Sequence, residues 1–224
     1  MKIIAIIPAR GNSKGIRNKN LVNFCGKPLI YWTIKQALDS KYIKEVIVSS
    51  DSTKILNFSE KNGAKTIKRP KYLSGDKATS ESALIHTIKS LDYDVDLVVF
   101  LQATSPLRKT KDIDNSIKTL IEHQGDSLFS ASNMEDFNIW KTNNQSLKSI
   151  NYNWKKRERR QDKSNTILCE NGSIYITKSK LLEKYKNRLG GNILYYKMEN
   201  WQAFEIDEKK DIKFVELLFK YLIK

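Results

Sequence analysis

Cysteine, histidine and long apolar runs are all scarce in this sequence, and each scarcity excludes a class of protein. Only two cysteines, Cys25 and Cys169, occur in 224 residues. Two thiols this far apart favour a reducing cytoplasm, where they serve as small apolar side chains rather than as a disulfide framework. Only two histidines are present, and neither has a neighbour that suggests a catalytic triad or a metal site.

No apolar segment is long enough for a membrane span or a secretion signal. The run at residues 3–7 ends at Pro8, whereas the core of a signal peptide needs roughly 7–15 apolar residues. No run approaches the roughly 18 apolar residues of a membrane-spanning helix. We therefore expect a cytoplasmic protein with no membrane partner, and a chain of 224 residues can bury a core without disulfides or a structural metal.

Acidic residues are too few to balance the basic ones. Forty Lys and Arg stand against 25 Asp and Glu, which gives a net charge of +15. Such a charge suits nucleic-acid binding, a solvated basic surface, or attraction of an acidic small substrate. The basic residues are spread along the chain, with one dense patch at residues 155–160 and no RNA-binding aromatic signature. We expect no nucleic-acid partner, and an RNA-binding module is the alternative from a different functional class.

The first part of the chain alternates strand and helix patterns. Apolar runs predict strands at residues 2–7, 45–50, 64–68 and 96–102, and helical spacing of apolar residues predicts helices at residues 29–40, 53–61, 80–91 and 110–123. This order predicts an α/β fold, with a Rossmann-like, mostly parallel sheet sandwiched by helices. In such sheets the ligand lies beyond the carboxyl ends of the strands, so the loops after residues 7, 50 and 102 are the informative ones.

The pattern changes at residues 127–177, where short strand-like pieces alternate with polar and basic stretches. We interpret this range as an inserted, partly exposed subregion within one domain that spans residues 1–224. A short helix at residues 181–187, a strand at residues 193–198 and a final amphipathic helix close the chain.

A loop rich in glycine and cations follows the first strand, at residues 8–20. Gly11 and Gly15 allow a tight turn and present backbone N–H groups to an anion, while Arg10 and Lys14 supply positive charge. The spacing is not that of a Walker A loop, because the two glycines are one residue too close and no Lys-Ser or Lys-Thr follows. The chemistry predicts a phosphate-binding loop, with an ordinary basic surface loop as the alternative.

Four motifs, in chain order, resemble those of one enzyme family. They are IPARGNSKG followed by NKN (residues 7–20), KRP with DKA (68–78), LQATSPLR (101–108) and NGSIYI (171–176). Together they resemble the acylneuraminate cytidylyltransferases, which make CMP-activated sialic acid and related nine-carbon sugar acids. The resemblance covers essentially the whole chain, and four ordered motifs are more specific than any one alone.

The resemblance implies roles for particular residues. The nucleotide would be bound by Arg10, Gly11, Asn12, Ser13, Lys14, Lys19, Asn20, Arg69 and Ser80. The sugar acid would be contacted by Gln102, Lys141 and Arg160. Catalysis would rest on Arg10, Lys14 and Asp207. The family also implies a homodimer formed through the inserted subregion, with Arg160 as a candidate for the partner's active site. As alternatives, Arg69 begins a turn before Pro70 and Gln102 satisfies backbone groups at the end of a buried strand.

Two carboxylates precede the final helix. In an extended segment Glu205 and Asp207 fall on the same face, and two carboxylates beside a triphosphate suit Mg²⁺. The alternative is that Asp207 is only the N-cap of the final helix. In the family this pair is commonly Asp-x-Asp, so Glu205 is a departure that leaves direct ligation by its longer side chain open.

The reaction that the resemblance implies is a cytidylyl transfer. The anomeric hydroxyl of a sialic-, legionaminic- or pseudaminic-type acid attacks the α-phosphorus of CTP, and pyrophosphate leaves. A related sugar nucleotidyltransferase that uses another nucleotide or another sugar is the alternative enzyme.

Overall fold

The computed structural model describes residues 1–13, 15–134, 137–162 and 167–223. In chain order its strands and helices are β1 (Ile3–Pro8), β2 (Asn23–Phe24), β3 (Lys27–Pro28), α1 (Leu29–Leu38), β4 (Glu45–Ser50), α2 (Thr53–Lys61), β5 (Lys65–Lys68), α3 (Ser80–Lys89), β6 (Leu97–Leu101), α4 (Thr110–Glu122), β7 (Ser127–Asn133), β8 (Trp140–Thr142), β9 (Leu147–Ser149), β10 (Leu168–Lys178), α5 (Ser179–Tyr185), β11 (Ile193–Lys197) and α6 (Lys209–Leu222). The predicted α/β order is confirmed.

A mostly parallel sheet forms the centre of the described chain. Its seven strands lie in the order β11-β7-β10-β6-β1-β4-β5. β1 pairs in parallel with β4 and β6, and β4 pairs in parallel with β5. β10 runs antiparallel to both of its neighbours, while β11 returns parallel to β7. β1 and β6 are apolar on both faces because helices cover both sides of the sheet at these central strands.

Two layers of buried side chains lie on opposite faces of this sheet. On one face Ile3, Ala5 and Ile7 of β1 pack with residues of α1, α2 and α4. On the other face Ile4 and Ile6 pack with residues of α3 and α5. A third cluster joins α6 to the loop after β1, through buried apolar residues that include Ile16, Ile206, Val215 and Phe219. This third cluster brings the segment before α6 close to the carboxyl end of β1.

The helices follow the predicted apolar spacing. In α1, Ile30, Ile34 and Ala37 are buried, whereas Leu38, which the spacing places on the same face, is 44% exposed at the helix end. The longest helix, α6, has 14 residues. No helix in the described ranges combines the length and the apolar character that a membrane crossing requires.

Only part of residues 127–177 lies outside the central sheet. The strands at both ends of residues 127–177, β7 and β10, are members of the central sheet and carry buried residues on it. Between them, the described residues 137–162, which we call the projecting range, lie outside the central sheet, and β8 and β9 form a separate two-stranded hairpin there. Because the sequence between β7 and β10 is polar, the sequence pattern did not predict that these two strands belong to the core.

Candidate active site

Three parallel strands end at the same edge of the sheet and bring their loops together. Arg10 follows β1, Asp51 follows β4 and Gln102 follows β6. The backbone N–H of Gly11 donates to Asp51 Oδ1 at 2.8 Å, and that of Ala9 donates to the carbonyl of Ser49 at 2.9 Å. These contacts fix the beginning of the cationic loop against the neighbouring strand end, as the parallel topology predicts.

A cavity of about 430 Å³ opens at this edge. The residues with predicted roles that line it are Arg10, Ser13, Lys19, Asn20, Ser80, Gln102 and Asp207. They come from four separate parts of the chain, so the structure brings together groups that sequence spacing alone could not. Phe100, Thr104 and Glu208 also line this first cavity and were not predicted.

A second cavity of about 320 Å³ adjoins the first, and the two share Pro8, Arg10 and Ser80. Arg69 lines it and is only 6% exposed. Among the described residues, Arg69 Nε has no hydrogen-bond partner, although it is buried. Burial, with the nearby Arg10, lowers the pKa of Arg69, and Asp51 opposes this shift. A buried donor without a partner costs free energy, and a ligand with an acceptor atom would supply that partner.

The cationic loop is held in shape by its own polar groups. The side-chain amide of Asn20, which is buried, donates to the carbonyl of Arg10 at 3.0 Å. Arg10 Nη1 in turn pairs with Asp76 Oδ1 at 3.1 Å, across the mouth of the second cavity. The predicted contact of Asn20 with a ligand can use its amide oxygen or its second amide N–H, because the first N–H already closes the loop.

Asp207 lies at the wall of the first cavity and pairs with Lys19, whose Nζ is 2.8 Å from Asp207 Oδ1. The N-cap of α6 is Glu208, so the alternative that Asp207 is merely the helix cap is wrong. The backbone N–H groups of Asp207 and Glu208 both donate to Asp211 Oδ2, at 2.9 and 2.7 Å. Asp211 thereby fixes the backbone on which Asp207 stands.

Glu205 occupies a different environment from Asp207. Its Oε1 accepts a hydrogen bond from Ser105 Oγ at 2.8 Å. Burial raises the pKa of Glu205, and the charge of Asp207 adds to this rise, while Ser105, Arg108 and Lys19 oppose it. The two carboxylates are thus close enough to repel each other, but Glu205 faces the turn after β6 rather than the cavity.

Two glycines allow the acidic segment to approach the rest of the site. A Cβ atom on Gly15 would lie 2.3 Å from the carbonyl oxygen of Asp207. A Cβ atom on Gly172, whose φ is +71°, would lie 2.5 Å from Glu205 Oε1. Gly15 was predicted only as a turn residue of the phosphate loop. Its close packing on Asp207 joins the loop after β1 to the segment before α6, and a side chain there would push them apart.

The donor chemistry fits a magnesium ion that shares its coordination with a substrate. Within the described ranges no group of three or more His, Cys, Asp or Glu residues could form a metal cage. Mg²⁺ typically takes one or two carboxylates and completes its octahedron with water and phosphate oxygens. Asp207 at the cavity wall offers one such carboxylate, while Glu205 lies near enough to feel its charge but faces the turn after β6.

Arg108 is a further residue beside the cavities for which the sequence predicted no role. It is fully buried, and its guanidinium donates to the carbonyl of Ser173 at 2.7 Å, to Thr33 Oγ1 at 2.8 Å and to the carbonyl of Gln102. Burial lowers the pKa of Arg108 to about 9, while Glu205 and Asp112 support its charge. Arg108 therefore fixes the turn that carries Gln102, and its place at the end of the LQATSPLR motif was the available signal.

Among the described residues with predicted roles, Gly11, Asn12 and Lys141 line neither cavity. Lys141 lies on the exposed strand β8 and is not among the residues that line either cavity. Lys14 lies outside the described residues, and so does the side chain of Arg160. Asn12 is exposed on the loop after β1.

The family model for cytidylyltransferases matches residues 4–222. The chain belongs to the cytidylyltransferase family. The match spans nearly all of the sequence, and it includes both cavities and the acidic segment before α6. This family membership does not favour the RNA-binding alternative.

Two relatives and one solved structure are similar to this chain. It is 36% identical over 208 residues to N-acylneuraminate cytidylyltransferase A of Danio rerio, covering 92% of this chain and 48% of that protein. It is 40% identical over 139 residues to a pseudaminic acid cytidylyltransferase of Campylobacter jejuni, covering 60% of each. The chain thus spans about half the length of the Danio rerio relative. The fold is similar to that of a CMP:2-keto-3-deoxy-manno-octonic acid synthetase complexed with CTP, with a TM-score of 0.75, 17% identity, and coverage of 98% of this chain and 99% of that one.

Proposed function

We propose that this chain transfers the cytidylyl group of CTP to the anomeric hydroxyl of a nine-carbon keto sugar acid and releases pyrophosphate. The observation that carries the proposal is the pair of adjoining cavities, one with a buried arginine whose Nε has no hydrogen-bond partner among the described residues and one with a cationic wall. The names of the two relatives, which act on N-acylneuraminate and pseudaminic acid, indicate the class of acid.

The nucleotide would occupy the second cavity and extend into the first. A carbonyl oxygen of the base or a hydroxyl of the ribose would accept from Arg69 Nε, which needs such a partner in its buried position. The triphosphate would lie along Arg10, Ser13 and Lys19, with Lys14 in the same loop as a further cation by family resemblance. Arg10 would exchange its surface pair with Asp76 for a charge-assisted contact with phosphate.

The sugar acid would occupy the part of the first cavity nearest Gln102. Gln102 follows β6, and Phe100 on the same strand lines the same cavity, so together they form one wall. The buried guanidinium of Arg108 holds the backbone of Gln102 in place. Lys141 and Arg160 both belong to the projecting range 137–162. From there they would contact a sugar acid bound in the active site of a partner subunit.

The reaction would proceed by in-line displacement at the α-phosphorus. The oxygen of the anomeric hydroxyl forms the new P–O bond, the bond to the leaving pyrophosphate breaks, and water takes up the proton of the hydroxyl. Arg10 and Lys19 neutralise charge that develops on the phosphate oxygens, and the walls of the two cavities align the reactants.

Magnesium would be held by Asp207 together with phosphate oxygens, with Glu205 as a neighbouring carboxylate rather than an established ligand. When bound, Mg²⁺ neutralises phosphate charge and lowers the pKa of a coordinated hydroxyl. Lys19 already pairs with Asp207, so this lysine orients the carboxylate toward the cavity.

The functional unit would be a cytoplasmic homodimer. The projecting range carries exposed aromatic side chains, and the Trp140 ring lies 5.8 Å from that of Tyr152 and 6.4 Å from that of Trp154. Trp140 is 41% exposed and Trp154 is 57% exposed, so these neighbouring rings present a contiguous apolar patch of the kind that interfaces cover. A two-fold dimer would cover these rings and carry Lys141 and Arg160 toward the partner's active site.

Substitution of Arg69 tests the nucleotide half of this proposal. Arg69→Met removes the buried donor but keeps most of the side-chain volume. We expect kcat/KM for CTP to fall about 10²-fold, because the site loses one charged donor to the nucleotide. The effect on the KM of the sugar acid should be small. The measurement is pyrophosphate release against CTP concentration.

A matched control is Lys118→Met, which removes an exposed cation on α4. It changes the net charge by the same amount without touching either cavity, and wild-type kinetics are expected. Wild-type CTP kinetics in a folded Arg69→Met protein would contradict the nucleotide assignment.

A further inference from the structure

Arg188, which is not among the residues that line the two cavities, supports the wall where they meet. It lies in the loop between α5 and β11, and its Nε donates to Glu81 Oε1 at 2.6 Å. Only 21% of the Arg188 side chain and 15% of the Glu81 side chain are exposed. A half-buried pair of this kind is sensitive to loss of one partner, because the other charge is then left poorly solvated.

The same guanidinium packs on two aromatic rings. Arg188 Cζ is 4.9 Å from the ring centroid of Phe100 and 4.7 Å from that of Tyr175. The two rings are stacked on each other, with centroids 5.5 Å apart and an angle of 18° between their planes. A planar guanidinium favours such contacts more than a lysine ammonium does. Because Phe100 lines the first cavity, Arg188 fixes one of its walls from behind.

The ion pair fixes a second wall through α3. Glu81 stands in the first turn of α3, directly after Ser80, which lines both cavities. Burial alone would raise the pKa of Glu81, but the hydrogen bond from Arg188 and a backbone hydrogen bond hold it below its ordinary value. The helix start is further capped by Thr79, whose Oγ1 accepts from the N–H of Ser82 at 3.2 Å.

The loop that carries Arg188 is itself anchored to the sheet. The hydroxyl of Thr177, near the end of β10, donates to the carbonyl of Arg188. The Arg188 guanidinium therefore extends from a fixed backbone. This one side chain makes two contacts that lead to the cavities. One contact reaches Ser80 through Glu81, and the other reaches Phe100 directly.

Resting on the function proposed above, we infer that Arg188 is a positioning residue for the sugar acid. It holds the Phe100 ring beside Gln102, and through Glu81 it holds the start of α3 at the junction of the cavities. These two contacts align the acceptor hydroxyl with the α-phosphorus. Arg188 acts through Phe100 and Glu81 rather than by touching the reacting atoms. Misalignment by about 1 Å from such a remote change is enough to slow a two-substrate reaction by about 10²-fold.

The test compares steady-state pyrophosphate release by the full chain, with CTP and the sugar acid varied separately. For Arg188→Met we expect kcat/KM for the sugar acid to fall about 10- to 100-fold, while KM for CTP changes less than about 3-fold. Arg188→Lys keeps the charge but not the planar stack, and should recover part of the loss. Glu81→Gln removes the ion pair without altering the stack, and should shift the acid kinetics in the same direction.

The matched control is Lys178→Met, which breaks the ion pair between Lys178 and Asp126, 2.7 Å apart, away from both cavities. This variant should keep wild-type kinetics. Thermal melts of all variants separate a loss of folding from a loss of alignment.

Wild-type acid kinetics in folded Arg188→Met would overturn this inference and leave the proposed function standing. A loss that only follows the fraction of folded protein would overturn it as well, because that result describes a structural role. A folded wild-type protein that releases no pyrophosphate with any acid would overturn the proposed function, and this inference with it.

Discussion

At the scale of single residues, the site depends on close approaches that sequence patterns do not show. Gly15 and Asp207 are separated by most of the chain, yet a Cβ on the glycine would lie 2.3 Å from the carbonyl oxygen of the aspartate. Lys19, four residues after Gly15, pairs with the same aspartate. The cationic loop and the acidic segment thus form one unit, joined by this close approach and by the Lys19–Asp207 ion pair.

Asp207 is the residue whose substitution best separates a metal role from a structural one. Asp207→Asn keeps an oxygen that can accept from Lys19 but removes the negative charge. We expect the rate to fall about 10²-fold or more at fixed Mg²⁺, and the Mg²⁺ requirement to shift to higher concentration. The measurement is a Mg²⁺ titration of the initial rate, with thermal melts beside it.

Glu205 provides the comparison for this titration. Glu205→Gln keeps a side-chain oxygen for the hydrogen bond from Ser105, so we expect a smaller shift in the Mg²⁺ requirement. Glu205→Asp restores the residue commoner in the family and should retain activity. An unchanged rate and Mg²⁺ dependence in Asp207→Asn would reject the metal assignment.

At the scale of elements, the start of α6 determines where Asp207 stands. Glu208 and Asp211 form a capping box in which Asp211 accepts from two successive backbone N–H groups. These hydrogen bonds hold the pKa of Asp211 below its ordinary value of 3.8. Ionised Asp211 therefore helps to hold the segment that carries Asp207 in place, and protonation of Asp211 would weaken these hydrogen bonds.

Asp211→Ala should cost about 1 kcal/mol of stability at pH 7, the usual cost of losing a helix cap. In a chain of this length that lowers Tm by about 2–4 °C. Since the pKa of Asp211 is lower in the folded state, its contribution is complete above pH 3.8 and is lost as the pH falls through the folded pKa. Thermal melts across pH should show a full difference at pH 7 that shrinks under acid conditions.

A difference between wild type and Asp211→Ala that persists undiminished below the folded pKa would contradict this link. Asp211→Asn is the companion variant, because an amide oxygen can still accept from both N–H groups. It should lose less stability than Asp211→Ala and show little pH dependence.

The elements themselves were largely predictable, and the long-range contacts were not. β4 and α2 match their predicted bounds because apolar spacing and turn residues define them locally. β7 and β10 were assigned to a peripheral subregion, since the polar range between them concealed that they pair with each other in the central sheet. Arg108 was seen as part of a motif, but only the fold shows that it is buried and bonded to the carbonyl of Gln102.

At the scale of the whole molecule, charge and exposed aromatic rings indicate how the chain meets its partners. The net charge of +15 suits acidic substrates such as a triphosphate and a sugar acid. The projecting range 137–162 carries exposed rings that the rest of the described chain does not cover. In the proposed dimer, a second copy of this chain would cover them.

Light scattering over a concentration series tests the dimer. We expect wild type to be a dimer at working concentration, and the double variant Trp140→Ser and Trp154→Ser to shift toward monomer. Tyr221→Ser is the matched control, because Tyr221 is an 89% exposed aromatic residue on α6, outside the projecting range. A wild-type protein that stays monomeric at micromolar concentration would contradict the dimer.

The proposed activity of this chain is the coupling of CTP to a nine-carbon keto sugar acid. The most direct measurement is pyrophosphate release by the purified chain with Mg²⁺, across the four nucleoside triphosphates and a panel that includes sialic, legionaminic and pseudaminic acids. We expect release with CTP and at least one of these acids, and little with the other nucleotides. Release with another nucleotide in preference to CTP, or no release with any pair while RNA binds at nanomolar strength with a steep salt dependence, would contradict the claim.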